Sequence, residues 1–129
     1  GGGRRVGRRP KSRKIPGAAY QFTIRVSGYP VRVFLAVDLP DDAVGEYYYD
    51  VHELYIRNVP ERSKPALADA YVHELLHAIS QISLSPEDRL AERQVNTLAT
   101  VLVDTLIRNP ELRVLLVHLL SDEPDPPAS

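Results

Sequence analysis

The sequence has no cysteine, no methionine and no tryptophan among its 129 residues. Without cysteine there is no disulfide scaffold, no cysteine nucleophile, no iron–sulfur cluster and no thiolate zinc site, so a bound metal must take His and carboxylate ligands. The four histidines therefore matter most. No run approaches the roughly 20 apolar residues of a transmembrane helix, and the Arg-rich first residues contain no apolar h-region. Neither a membrane span nor a secretory signal is expected, and the cytoplasm is the expected compartment. Methionine is missing even at position 1, and Gly1 to Gly3 are set aside.

Hydrophobic residues make up 43% and charged residues 26%, enough for one compact domain that buries roughly two thirds of its unfolded surface. The net charge of −1 hides an asymmetry. Arg4, Arg5, Arg8, Arg9, Lys11, Arg13 and Lys14 fall within residues 1–16 beside no acid. A basic run with interspersed Gly and Pro and no hydrophobic period reads as a solvated arm, able to touch nucleic acid or an acidic partner. No aromatic is interleaved for base stacking, so an arm that only aids solubility is the plainer reading. Residues 121–129, acidic and Pro-rich, read as a frayed tail, which leaves residues 17–120 as the domain.

Within the domain the hydrophobic period changes from two to 3.6. Tyr20, Phe22, Ile24 and Val26 alternate with polar residues, Gly28 to Pro30 make a turn, and Val31, Val33, Leu35 and Val37 alternate again: two strands, forming a hairpin. Residues 46–49 and 54–57 read as a second strand pair. From Pro65 the alternation stops. Residues 66–82 form a first helix, with Ser63 and Pro65 as entry signals. Ser85 caps a second, with Pro86 at its first position and Glu87 and Asp88 in its first turn, running to about residue 108. Asn109-Pro110 opens a third over residues 111–120, which is apolar nearly all round through Leu112, Val114, Leu115, Leu116, Val117, Leu119 and Leu120. Such a helix buries itself in its own core or forms a dimer seam. A run of strands followed by a run of helices predicts an α+β domain, with a small antiparallel sheet of about four strands packed on three helices.

His73-Glu74-Leu75-Leu76-His77 is the HExxH pattern, placed inside the first predicted helix. The i, i+4 spacing puts both imidazoles on one face, one turn apart, where they can hold one Zn²⁺ at about 2.0–2.1 Å each. Glu74 then sits beside the metal, where a general base belongs. With this chain's four His and eight Glu, the pattern would arise by chance with odds on the order of one in a hundred. The plainer alternative is a core helix whose histidines bond to nearby carbonyls. It would gather three ionisable groups at one apolar face without compensation, a conflict that metal binding removes.

A hydrolytic zinc needs a third protein ligand and one open position. No third His follows the motif closely, so a carboxylate of the second helix is expected. At 100° per residue, Ala91, Val95, Leu98, Ala99, Leu102, Val103 and Leu106 share an arc with Glu92 and Asp88. Glu92, one turn into the helix and longer, is favoured over Asp88, which a capping role would explain; Glu87 at the edge of the arc is a third candidate. Glu92 would otherwise be a boundary residue paired with Arg89 or with a partner on another element. Tyr47, Tyr48, Tyr49, His52 and His118 are possible oxyanion donors, and each also has a structural reading.

The motif, the carboxylate-bearing helix and the small sheet ahead of them resemble a minimal zincin of the gluzincin type. The wider layout includes Gly45-Glu46-Tyr47-Tyr48-Tyr49, Leu54-Tyr55-Ile56, His73 to Ile79, and Arg108-Asn109-Pro110-Glu111-Leu112. It is similar to small phage and bacterial metallopeptidase-like proteins related to the ImmA/IrrE group, over roughly residues 20–120. An SprT-like peptidase is a more distant likeness, without a matching third His. The ImmA/IrrE resemblance implies His73, His77 and Glu92 as zinc ligands, Glu74 as base, and a role in a phage or mobile-element circuit. The expected activity is zinc-dependent hydrolysis of a peptide bond in an intracellular protein or peptide, with Glu74 taking the proton of a zinc-activated water and passing it to the leaving amine. The rival class is a zinc-stabilised or metal-free binding module that recognises a repressor, nucleic acid or a virion protein through the basic arm. The strand over residues 54–57 is the expected sheet edge for an added peptide strand.

Overall fold

The computed structural model describes residues 15–121. All but the inner ends of the expected basic arm and acidic tail lie outside the described residues.

Strands β1 (Ala19–Val26) and β2 (Tyr29–Ala36) form the expected hairpin. The turn is tighter than expected: it is Ser27-Gly28, with φ of 49° and 84°. Two left-handed residues give a connection whose twist matches that of the flanking strands. Pro30 belongs to β2, opposite Arg25 near the strand start, where a missing N–H is tolerated.

Strands β3 (Gly45–Tyr48) and β4 (Glu53–Arg57) pair antiparallel, completing a four-stranded sheet of order β1-β2-β4-β3. The α+β order of strands then helices holds, but the sheet is mixed where an antiparallel one was expected. β2 and β4 run parallel, from Arg32 opposite Glu53 to Ala36 opposite Arg57. The link after β2, with a 3₁₀ turn at Pro40–Asp42, carries the chain one strand width beyond its neighbour, and β4 returns into the gap. Alternation specifies which face of a strand is buried, not which strand lies beside it. β4 is therefore interior, and β3 is the edge.

The two faces follow the period of two. Val31, Val33, Tyr47, Leu54 and Ile56 pack toward helix α1 (Lys64–Ser83), where they meet Ala70 and Ala78. Ala36, Tyr48 and Tyr55 face the other way, under Leu39, Ile15 and Ala18, with the Phe34 and Tyr55 rings stacked at 4.9 Å. The entry of α1 is the expected one: Ser63 Oγ accepts from the Ala66 N–H at 3.2 Å, and Pro65 lies in the first turn.

The second helix begins later than expected. Ser85 leads only into a 3₁₀ turn, Pro86–Asp88; Arg89 and Ala91 are extended, and α2 runs Glu92–Arg108. Tertiary bonds hold this break. The Leu90 N–H donates to the buried Ser80 Oγ at 2.8 Å, and Arg89 Nη2 donates to the Gln81 carbonyl at 3.2 Å. The Ala91 N–H is met by Gln94 Oε1 at 2.8 Å. These partners satisfy groups that a continuous helix would have paired internally. α2 packs on α1 through Val95, Ala99 and Val103, one turn apart, and Thr100 Oγ1 donates to Asp69 Oδ2 at 2.8 Å. Full burial of a valine such as Val95 contributes about 1.5–3 kcal/mol. α3 (Pro110–Leu119) follows after one residue.

Candidate metal centre

The HExxH segment occupies the middle of α1, and its two imidazoles stand over one another, 4.8 Å between ring centroids. Helical spacing alone produces this. The third member comes from the break before α2. Because the chain is extended through Ala91, Glu92 is the first helical residue and not one turn in, and its carboxylate reaches back over both histidines. Glu92 Oε1 lies 2.7 Å from His77 Nε2, and Glu92 Oε2 lies 3.1 Å from His73 Nε2. The two Nε2 atoms are 3.2 Å apart. A tetrahedron with bonds of 2.0–2.1 Å has edges of about 3.3 Å; the two Nε2 atoms stand at that spacing, and one donor atom from each of the three residues lies within 4.8 Å of the others.

Asp88 and Glu87 do not join them. Both are exposed on the 3₁₀ turn, and Asp88 accepts a hydrogen bond from Ser85 Oγ at 2.9 Å. The dipole or capping role in the second helix expected as the alternative for Asp88 is not found either: Asp88 lies ahead of α2, and its partner is the Ser85 side chain. Arg89 turns to the Gln81 carbonyl, so the expected Glu92–Arg89 pairing is absent among the described contacts. Exposure rises across the donors: 1% for the His77 side chain, 15% for His73 and 36% for Glu92. The site is closed at its base and open toward solvent, leaving a direction from which a fourth ligand can arrive.

Electrostatics divide the two glutamates. Burial pushes Glu92 upward, but hydrogen bonds from His73 and His77 and their positive charge outweigh it and lower its carboxyl to about 2. Glu74 is the opposite case. Its side chain is buried, and burial, then the nearby charges of Glu46 and Glu92, hold its carboxyl well above the ordinary range. Oε1 of Glu74 makes no hydrogen bond, and Oε2 lies 4.0 Å from His73 Nε2. Burying a carboxylate with one oxygen unsatisfied is costly, and a dication held by the three neighbouring donors would add positive charge beside it. The donor set of two imidazoles and one carboxylate, with one open side, fits zinc.

These opposite shifts give a pH dependence in the metal-free protein. Glu92, lowered in the fold, adds stability that is present above about 4.5 and lost as pH falls toward 2. Glu74, raised in the fold, favours the fold below about 4.5 and loses that contribution as pH rises. Glu74→Gln removes the second effect. In metal-free protein its melting temperature should exceed that of wild type at pH 8, by about 4–8 °C for each kcal/mol relieved, with the gap closing near pH 4. Equal melting temperatures at both pH values would contradict the assignment.

Two contributors gave no sequence signal of their own. Gly45 on β3 lies against the Glu74 carboxyl: a Cβ there would meet Glu74 Cγ at 2.8 Å and Oε2 at 2.9 Å. Ser80, seven residues after the first histidine, holds Leu90 and thereby sets where α2 starts. The expected oxyanion donors are dispersed. Tyr47 hydroxyl pairs with His52 Nδ1 at 2.9 Å, Tyr48 packs on the sheet face away from α1, and His118 is exposed on α3. Tyr49 is partly buried against the core cluster that meets α1.

No protein-family model matches the chain, and neither a curated protein nor a solved structure matches it. The likeness to zincins thus stands on the motif and the site residues themselves. No helix among the described residues is long and apolar enough to cross a membrane.

Proposed function

We propose that the chain is a zinc-dependent metallopeptidase of the HExxH type, acting on a protein or peptide. The observation that supports this reading most is the convergence of His73, His77 and Glu92 beside the buried carboxyl of Glu74, whose Oε1 has no hydrogen-bond partner. Three ligands with an open side are the arrangement of hydrolytic zinc, whereas a purely structural site is closed by a fourth protein ligand. A bound Zn²⁺ supplies Lewis-acid polarisation of the scissile carbonyl and lowers the pKa of water. The chain's own residues do the rest. His73 and His77 present Nε2 lone pairs, Glu92 contributes one negative charge, and Glu74 accepts a proton at its carboxylate and returns it to the leaving amine. An extended peptide has a backbone edge to pair with at β3, the outer strand whose Gly45 touches Glu74, in place of the interior β4.

Elemental mass spectrometry of protein purified without added metal tests the site. Wild type and Asp88→Ala should carry about one zinc per chain. Glu92→Ala should bind zinc more weakly by more than the roughly 10–100-fold of an outer-shell change. Wild-type protein that folds but takes up no zinc, even when zinc is supplied, would remove the basis of the reading.

A further inference from the structure

We infer, resting on the zinc reading above, that Gln81 is the outer partner of the metal centre: its side-chain carbonyl accepts the Nδ1–H of His77 and holds that imidazole with Nε2 toward the metal. Gln81 is thus a positioning residue that touches neither metal nor substrate. Three buried atoms point to this. His77 Nδ1, Gln81 Oε1 and Arg89 Nε are shut off from solvent and make no hydrogen bond among the described residues. Protein interiors leave few such atoms unpaired. Here two donors and one acceptor lie close together. His73, His77 and Gln81 follow one another at i, i+4 and i+8 of α1, so Gln81 continues the row of the two imidazoles by one turn. Arg89 reaches the same turn from the break before α2, its Nη2 donating to the Gln81 backbone carbonyl at 3.2 Å.

Metal binding dictates what each atom does. The nitrogen that His77 turns to the donor group is Nε2, 2.7 Å from Glu92 Oε1 and 3.2 Å from His73 Nε2. A metal takes the Nε2 lone pair of a neutral imidazole, which puts the ring's one proton on Nδ1. His77 is 1% exposed, so the acceptor for that N–H comes from the chain. Gln81 Oε1 carries two lone pairs, enough for His77 Nδ1–H and Arg89 Nε–H together. The pairing ties the imidazole to the turn that Arg89 already grips, from which the chain leads on to Glu92. Both sides of the ligand set are then braced through one amide. Glu74 Oε1, three residues before His77, is the rival acceptor, and it is the atom that proton transfer requires to be free.

Zinc affinity of the full chain, by competition with a chromophoric chelator, and the ring NMR spectrum of isotope-labelled histidine test this. Zinc-loaded wild type should show a slowly exchanging Nδ1 proton on His77. Gln81→Leu keeps the bulk but cannot accept. It should lose that proton and bind zinc about 10–100-fold more weakly, the range for an outer-shell partner, with its circular dichroism spectrum unchanged. Gln81→Glu, whose carboxylate accepts from both donors, should keep the proton and bind zinc at least as tightly as wild type. Packing alone would not produce that rescue. Zinc-loaded wild type without the protected proton, Gln81→Leu binding zinc as tightly as wild type, Gln81→Glu as weak as Gln81→Leu, or loss of the proton in Glu74→Ala but not in Gln81→Leu would each overturn the inference and leave the zinc reading standing. Wild type that takes up no zinc would overturn both.

Discussion

Glu74→Gln is expected to keep zinc at about one per chain and to lower peptide hydrolysis by about 10²–10⁴-fold, the usual contribution of a general base. The two outcomes separate because Glu74 is not among the converging donors: its nearer oxygen is 4.0 Å from His73 Nε2, while Glu92 supplies the carboxylate of the group. Glutamine is nearly isosteric, so the packing against Gly45 survives; what disappears is the capacity to accept a proton and deliver it. The measurement is single-turnover cleavage of a degenerate peptide library read by mass spectrometry, with metal content determined on the same preparations. Activity undiminished in the variant would exclude Glu74 as the base. Loss of zinc along with activity would instead make Glu74 part of the ligand set.

Gly45→Ala should lower activity by about 100-fold with zinc retained, because a misplacement of about 1 Å at a catalytic group costs that much. The added Cβ meets Glu74 Cγ, Oε2 and Cδ at 2.8, 2.9 and 3.1 Å. The end of a glutamate is flexible, but this one is buried beneath the edge strand, so relief of the clash displaces the carboxyl. Overpacking of this kind also lowers stability by about 1–3 kcal/mol. A double-mutant cycle distinguishes positioning from general damage. On a Glu74→Gln background, Gly45→Ala should cost little further activity, since the group it positions no longer transfers protons. An equal loss in both backgrounds would show that Gly45 acts elsewhere.

The ease with which parts of this protein are read from its sequence tracks the range of the forces involved. The histidine pair is fixed by 3.6 residues per turn, so His73 and His77 share a face wherever that helix goes. The β1–β2 pairing follows from the short turn between them, and alternation marks the buried side of β2. The change of period at Pro65 marks the passage from sheet to helices. These are local consequences, complete within a few neighbouring residues.

Other features depended on contacts between distant residues. A Ser-Pro-Glu-Asp run at residues 85–88 is a good helix start by local rules, and it yields only a 3₁₀ turn because Ser80 takes the Leu90 N–H from ten residues away. That displacement brings Glu92 to the histidines and leaves Asp88 outside, although the helical arc alone admitted both. The parallel pairing of β2 with β4, and hence the choice of β3 as the edge beside Glu74, depends on where a loop crosses the sheet. Gly45 carries no motif; its reason lies in a carboxylate 29 positions later, packed where a methyl group would stand. The sequence by itself determined the chemistry available, two imidazoles and a carboxyl on one helix. The tertiary structure decided which carboxylate completes it and which strand borders it, because those choices rest on hydrogen bonds and packing that exist only once helix, loop and sheet meet.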